Sequence, residues 1–67
     1  MKINVNGEDR HFGAPLSIAD LLTDLGVEGG KVAIERNLEI VPKSAYETIE
    51  LSDGDRIEIV HFIGGGA

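Results

Sequence analysis

Residues 17–26, Ser-Ile-Ala-Asp-Leu-Leu-Thr-Asp-Leu-Gly, carry the signals of a helix at both ends and along one face. Ile18, Leu21, Leu22 and Leu25 fall at i, i+3, i+4 and i+7, which lines them up as a single apolar stripe. Ser17 is an N-cap residue. Asp20, three residues on, completes a variant of the capping box in which Asp replaces the usual Glu or Gln. Leu16 before the cap and Leu21 after it form a hydrophobic staple. Gly26 stands where a left-handed C-terminal cap belongs. One amphipathic helix has one face to bury, so the rest of the chain must supply the surface that covers it.

The flanking segments read as strands. On the N-terminal side, Lys2 to Asn6 alternates with Ile3 and Val5 on one face. Asn6-Gly7 supplies the positive φ angles of a tight hairpin turn, Asp9 to Phe12 returns, and Gly13-Ala14-Pro15 breaks the pattern. On the C-terminal side, Gly29-Gly30 connects to a β-rich run, Val32 to Arg36. Asn37 turns it, Leu38 to Val41 forms a short partner strand, and Pro42 ends that strand because it has no N–H for a ladder. Lys43 to Ile49 is ambiguous and fits one helical turn with Tyr46 packed inward. Ser52-Asp53-Gly54-Asp55 is a turn, and Arg56 to Ile63 is the longest strand. The order is β-β-α-β-β-β, an α+β pattern in which one helix lies on one face of a sheet of four to five strands.

Parity in the last strand separates two faces. Ile57, Ile59, His61 and Ile63 share one side; Glu58, Val60 and Phe62 share the other. If Ile57 and Ile59 face the helix, Val60 and Phe62 point away from it, onto a face that a single-helix domain leaves open. Two exposed apolar residues together read as a docking patch. The plainer alternative is scattered surface hydrophobics, which are ordinary.

Totals bound the function. The 67 residues make one domain, and a chain of that length buries only about 60% of its unfolded surface, leaving little room for a deep catalytic cleft. With no cysteine there is no disulfide framework, thiolate metal site or cysteine nucleophile, which fits a reducing, cytoplasmic setting. Six basic against 12 acidic residues give a net charge of −6. That is the wrong sign for a nucleic-acid binder and suits docking to a basic protein surface. No apolar run approaches the ~20 residues of a membrane span, and the start of the chain lacks a signal-peptide core.

Few residues offer chemistry of their own. His11 and His61 are isolated from any serine or carboxylate partner, so both read as ordinary core or surface histidines. Asp53-Gly54-Asp55 lacks the twelve-residue ligand spread of a calcium loop and reads as a plain turn. Gly64-Gly65-Gly66 is not a phosphate loop, because no helix follows it. Two readings of that tail stand from the residues alone. It can be a frayed end. Alternatively it is a thin, side-chain-free thread, residues 64–67 reaching roughly 13 Å when extended, that carries a terminal carboxylate into a narrow slot for activation by another enzyme as an acyl adenylate. On the second reading residues 1–63 are the handle and the terminus is the reactive group.

Four stretches together resemble one family along the whole chain: KINVNGE (residues 2–8), SIADLLTDLG (17–26), VAIERNLEIVPKSAY (32–46) and LSDGDRIEIVHFIGGG (51–66). They are similar to the sulfur carrier proteins of thiamine biosynthesis, the ThiS family. That resemblance implies a ubiquitin-like β-grasp fold and a carrier rather than an enzyme. It implies that Gly66 is adenylated by a ThiF-type enzyme using Mg-ATP and converted to a thiocarboxylate with sulfur from a cysteine desulfurase relay. The thiazole synthase ThiG then takes the sulfur into the thiazole ring. On the same resemblance, Gly64 and Gly65 form the tail, and Val60, Phe62 and Ile63 lie near the contact with these partners. No cofactor is expected on the chain itself. One departure is Ala67, a residue beyond the family's terminal glycine: it is trimmed, it is foreign to the natural chain, or the activating enzyme tolerates its methyl group.

Three rivals share parts of this reading. The small subunit of molybdopterin synthase has the same fold and tail but is usually longer, and Val41-Pro42-Lys43 argues against it. A ubiquitin-like modifier would form isopeptide bonds to lysines. An interaction module with an inert tail would bind partners without chemistry at Gly66.

Overall fold

A computed structural model describes residues 1–62; Ile63 and the expected tail, Gly64 to Ala67, lie outside the described residues. The elements run β1 (Lys2–Val5), β2 (Glu8–His11), α1 (Ile18–Leu25), β3 (Val32–Arg36), β4 (Glu39–Val41) and β5 (Arg56–His61), with 3₁₀ turns at Gly29–Lys31 and Lys43–Ala45. This is the expected β-β-α-β-β-β order.

The helix ends are built as the residues dictate. The Asp20 N–H donates to Ser17 Oγ at 3.0 Å and the Ser17 N–H donates to Asp20 Oδ2 at 3.1 Å, closing the capping box. Two further first-turn donors, which no helix can satisfy internally, find carbonyls outside it. The Ala19 N–H donates to Tyr46 O at 2.8 Å and the Ile18 N–H to Ile49 O at 3.3 Å. At the other end Gly26 adopts φ 72°, and the Gly26 and Val27 N–H groups donate back to Thr23 O and Leu22 O. That is a Schellman cap. The segment from Lys43 to Ile49 therefore supports the helix directly, because its 3₁₀ turn buries Tyr46, as expected, and seats the start of α1.

The five strands form one mixed sheet in the order β2-β1-β5-β3-β4. β1 and β5 are parallel and adjacent at the centre, and every other pair is antiparallel. Helix α1 covers one face. Ile3 of β1, Ile18 and Leu21 of α1, Val32 and Ile34 of β3 and Ile57 of β5 are fully buried against one another. Each such side chain contributes on the order of 1.5–3 kcal/mol by leaving water, so a core of this few must be well packed to hold 67 residues together. The arrangement is the ubiquitin-like β-grasp that the resemblance implies.

Several boundaries differ from the sequence reading: β1 ends at Val5, and β2 runs Glu8–His11 rather than Asp9 to Phe12. β4 begins at Glu39 because Asn37 and Leu38 both take left-handed φ values, 50° and 71°, and form the turn themselves. β5 ends at His61, although the Phe62 N–H still donates to Lys31 O at 3.0 Å.

A buried carboxylate ties the start of β5 to the β3–β4 turn. Asp55 Oδ2 accepts from the Ser52 N–H at 2.7 Å and from the Arg36 guanidinium at 2.9 Å (Nε) and 2.8 Å (Nη2), while Oδ1 accepts from Asn37 Nδ2 at 3.0 Å. Burial pushes the Asp55 carboxyl up, but the Ser52 N–H, the Asn37 amide and the Arg36 charge outweigh it and hold the group below its ordinary value. Asn37 closes the circuit with its own backbone N–H to Arg56 O at 2.8 Å and its Oδ1 on the Arg56 N–H at 2.9 Å.

Candidate functional site

Chemistry-bearing side chains are scattered. His11 and His61 are both exposed, and among the described residues no group of three or more His, Cys, Asp or Glu side chains converges to hold a metal. A concavity of about 530 Å³ lies beside α1 and is lined by Leu22, Val27, Gly29, Tyr46 and Glu47 among others. Burial pushes the Tyr46 phenol up, so it stays protonated there. The organised surface is elsewhere, on the open face of the sheet.

Alternation along β5 places Ile57 and Ile59 under the helix and turns Val60 outward, 56% exposed. Phe62, just past the strand, is 52% exposed. The parity expected of this strand holds in the structure, and both aliphatic and aromatic groups stand where Val60 and Phe62 were expected. Ile63, the third residue expected at this contact, and Gly64, Gly65 and Gly66 lie outside the described residues.

The register extends the patch beyond the residues singled out from sequence. Val60 sits opposite Ala33 on β3, and Glu58 sits opposite Glu35, whose other neighbour is Ile40 on β4. Val41 is buried, so Ile40 must point outward, and it is 79% exposed; Leu38 in the preceding turn is 70% exposed. Ile40 was legible in principle, because it shares alternation with a Val41 that must face the core. The missing information was the pairing of Val41 with Ile34, a contact between strands. Two glutamates cross this apolar face side by side. Glu58 has Arg56 at 3.4 Å, and like charges directly opposite on a sheet are unfavourable in isolation. A face of this composition, apolar side chains crossed by carboxylates, suits a partner with apolar pockets and basic groups rather than a small substrate.

Phe62 is held at the edge of the patch from two directions. Its N–H bonds to Lys31 O. The Lys43 ammonium lies 5.2 Å from the centroid of its ring and donates to Gly30 O at 3.0 Å.

Comparison with known proteins points in one direction. The ThiS family model matches residues 3–66. The sulfur carrier protein ThiS of Bacillus subtilis is 45% identical over 65 residues, which cover 96% of this chain and 98% of that protein. A thiazole synthase of Paramagnetospirillum magneticum is 57% identical over 67 residues, all of this chain but 21% of that protein; the chain spans about a fifth of that relative's length. In three dimensions it is similar to the crystal structure of the thiamine biosynthesis protein ThiS from Geobacter metallireducens, with a TM-score of 0.84 at 32% identity, covering 98% of this chain and 100% of the other.

Proposed function

The chain belongs to the ThiS family, and on that premise we propose that it is a sulfur carrier for thiazole formation in thiamine biosynthesis, not an enzyme. The observation that carries the reading is the match to the Bacillus carrier over 98% of that protein's length, with the glycines through Gly66 inside the family match.

In this reading the folded domain is the handle, and the working group is the Gly66 carboxylate set free once the Gly66–Ala67 peptide bond is hydrolysed. A ThiF-type enzyme joins that carboxylate to the α-phosphate of Mg-ATP and releases pyrophosphate. The terminal sulfur of a persulfide on a cysteine desulfurase relay then attacks the acyl carbon and expels AMP; a second thiol of the relay attacks the inner sulfur of the resulting acyl disulfide, closing a relay disulfide and releasing the thiocarboxylate. ATP and Mg belong to the partner. A thiazole synthase of the ThiG type accepts the sulfur, and the relative in which a chain like this one is a fifth of a thiazole synthase supports that pairing. The open sheet face around Val60 and Phe62, with Ile63 next along the chain, serves as the docking contact for both enzymes, and Gly64 and Gly65 lead the terminus into their active sites. The work takes place in the cytoplasm, where a cysteine-free chain is at home.

Deletion of Gly65 to Ala67 is expected to abolish thiazole formation while leaving the thermal midpoint unchanged, because the core described above lies entirely within the preceding residues. Intact mass of the untagged chain from its own cells, with fragmentation of the C-terminus, checks the chemistry: the reading requires a species ending at Gly66 with one oxygen replaced by sulfur. A truncated chain that still supports thiamine synthesis overturns it. Lysine conjugates that survive reducing agent would instead favour a protein modifier.

A further inference from the structure

We propose that Lys43 is a positioning residue that fixes the end of β5, and through it the docking face, before any partner arrives; this rests on the carrier reading for its consequence but not for its geometry. Three segments distant in sequence meet at this side chain. Lys43 opens the second 3₁₀ turn, Gly30 lies in the first, and Phe62 follows the last strand. The Lys43 ammonium donates to Gly30 O at 3.0 Å and stands 5.2 Å over the Phe62 ring. The next carbonyl along from Gly30, that of Lys31, accepts the Phe62 N–H at 3.0 Å. Backbone and ring of Phe62 are therefore fastened to the same short turn, one directly and one through Lys43.

Physical chemistry makes the clasp useful where it is. An exposed aromatic just past the end of a strand samples several rotamers, and a partner that needs one of them bears the ordering cost on binding. A cation within about 6 Å of the ring face favours one placement in advance. The ammonium cannot leave without also giving up its bond to Gly30. The clasp adds nothing to the core, since Lys43 and Phe62 are both exposed.

The test compares Lys43→Met, which keeps the length and removes the charge, with Lys43→Arg, which keeps a cation able to lie on the ring. The full chain is titrated by calorimetry into a ThiF-type adenylating enzyme. Lys43→Met is expected to weaken binding about two- to five-fold, the worth of one exposed cation–π contact, with an unchanged thermal midpoint, and Lys43→Arg to restore it. In a Phe62→Leu background the Lys43→Met loss should vanish, because the ring through which Lys43 acts is gone. Amide exchange at Phe62 in the free chain should quicken in Lys43→Met; this needs no partner and so stands or falls apart from the carrier reading. Wild-type affinity in Lys43→Met, or a loss that persists without the ring, overturns the assignment; the second result would mean that Lys43 touches the partner itself.

Discussion

Asp55 shows how much a single acidic residue can organise in a domain this small. Its two oxygens collect donors from Ser52, Arg36 and Asn37, joining the turn before β5 to the end of β3. Because its carboxyl is held below the ordinary value, the folded state releases this proton more readily than the unfolded chain. The stability it adds is fully present above the unfolded value of about 3.9 and is lost as pH falls through the lower folded value. Asp55→Asn should therefore flatten the acid side of a stability–pH profile below about pH 4. At neutral pH it should cost about 2–3 kcal/mol, since charge-assisted bonds are lost and Arg36 is left half-buried without its partner. Chemical denaturation at stepped pH measures both; an unchanged acid limb would show that the titrating group is elsewhere.

Among the elements, the hairpin between β3 and β4 carries the most evident local conflict. Leu38 holds φ 71°, a conformation that costs a side-chain-bearing residue roughly 1–2 kcal/mol. The doubly bonded contact of Asn37 with Arg56 and the Asp55–Asn37 bond impose it. Leu38→Gly should stabilise the fold by about 1 kcal/mol, read as a raised denaturation midpoint, because the exposed leucine gives up no core contact. A lowered midpoint would mean that Leu38 packs against something in solution. This hairpin also marks the limit of what local sequence signals convey. Helix α1 was legible with both caps because every signal from Ser17 to Gly26 is local, and Asn6-Gly7 announced the first hairpin for the same reason. The left-handed leucine was not, because its cause lies in a distant strand, at Arg56. Ile40 escaped notice because its outward orientation follows from the register of Val41 against Ile34. The parity of Val60 and Phe62 needed only their own strand, whereas the lysine over the Phe62 ring comes from a different segment altogether.

Across the whole molecule, functions divide by face. One side of the sheet is closed by α1 and supplies stability, and the other stays open with Ile40, Val60 and Phe62 exposed. Substitutions should obey that division. Phe62→Asp is expected to weaken association with the adenylating enzyme or the thiazole synthase at least about ten-fold, as loss of an aromatic anchor does, while the thermal midpoint stays within the spread of surface substitutions. A large fall in thermal midpoint would show instead that the ring supports the core. The two sheet edges differ as well. β2 is exposed along its length and carries Glu8, Asp9, Arg10 and His11, the charged kind of edge that discourages a second chain from adding a strand, whereas β4 at the other edge is shorter and carries the exposed Ile40.

The parallel pairing of β1 with β5 has a practical corollary. Asn4 stands level with Arg56, so the two strands start at the same pole and run together toward the other. Counting back to Met1 and forward to His61 separates the amino terminus from the end of β5 by about 26 Å along the sheet. The Met1 ammonium is pinned by its bond to Phe12 O at 2.7 Å, and a peptide N–H in its place can make the same bond. A fluorophore, an affinity handle or a sensor chip attached at the amino end would thus sit at the far pole, with the open face and the carboxyl end of the last strand left free to meet an enzyme in solution.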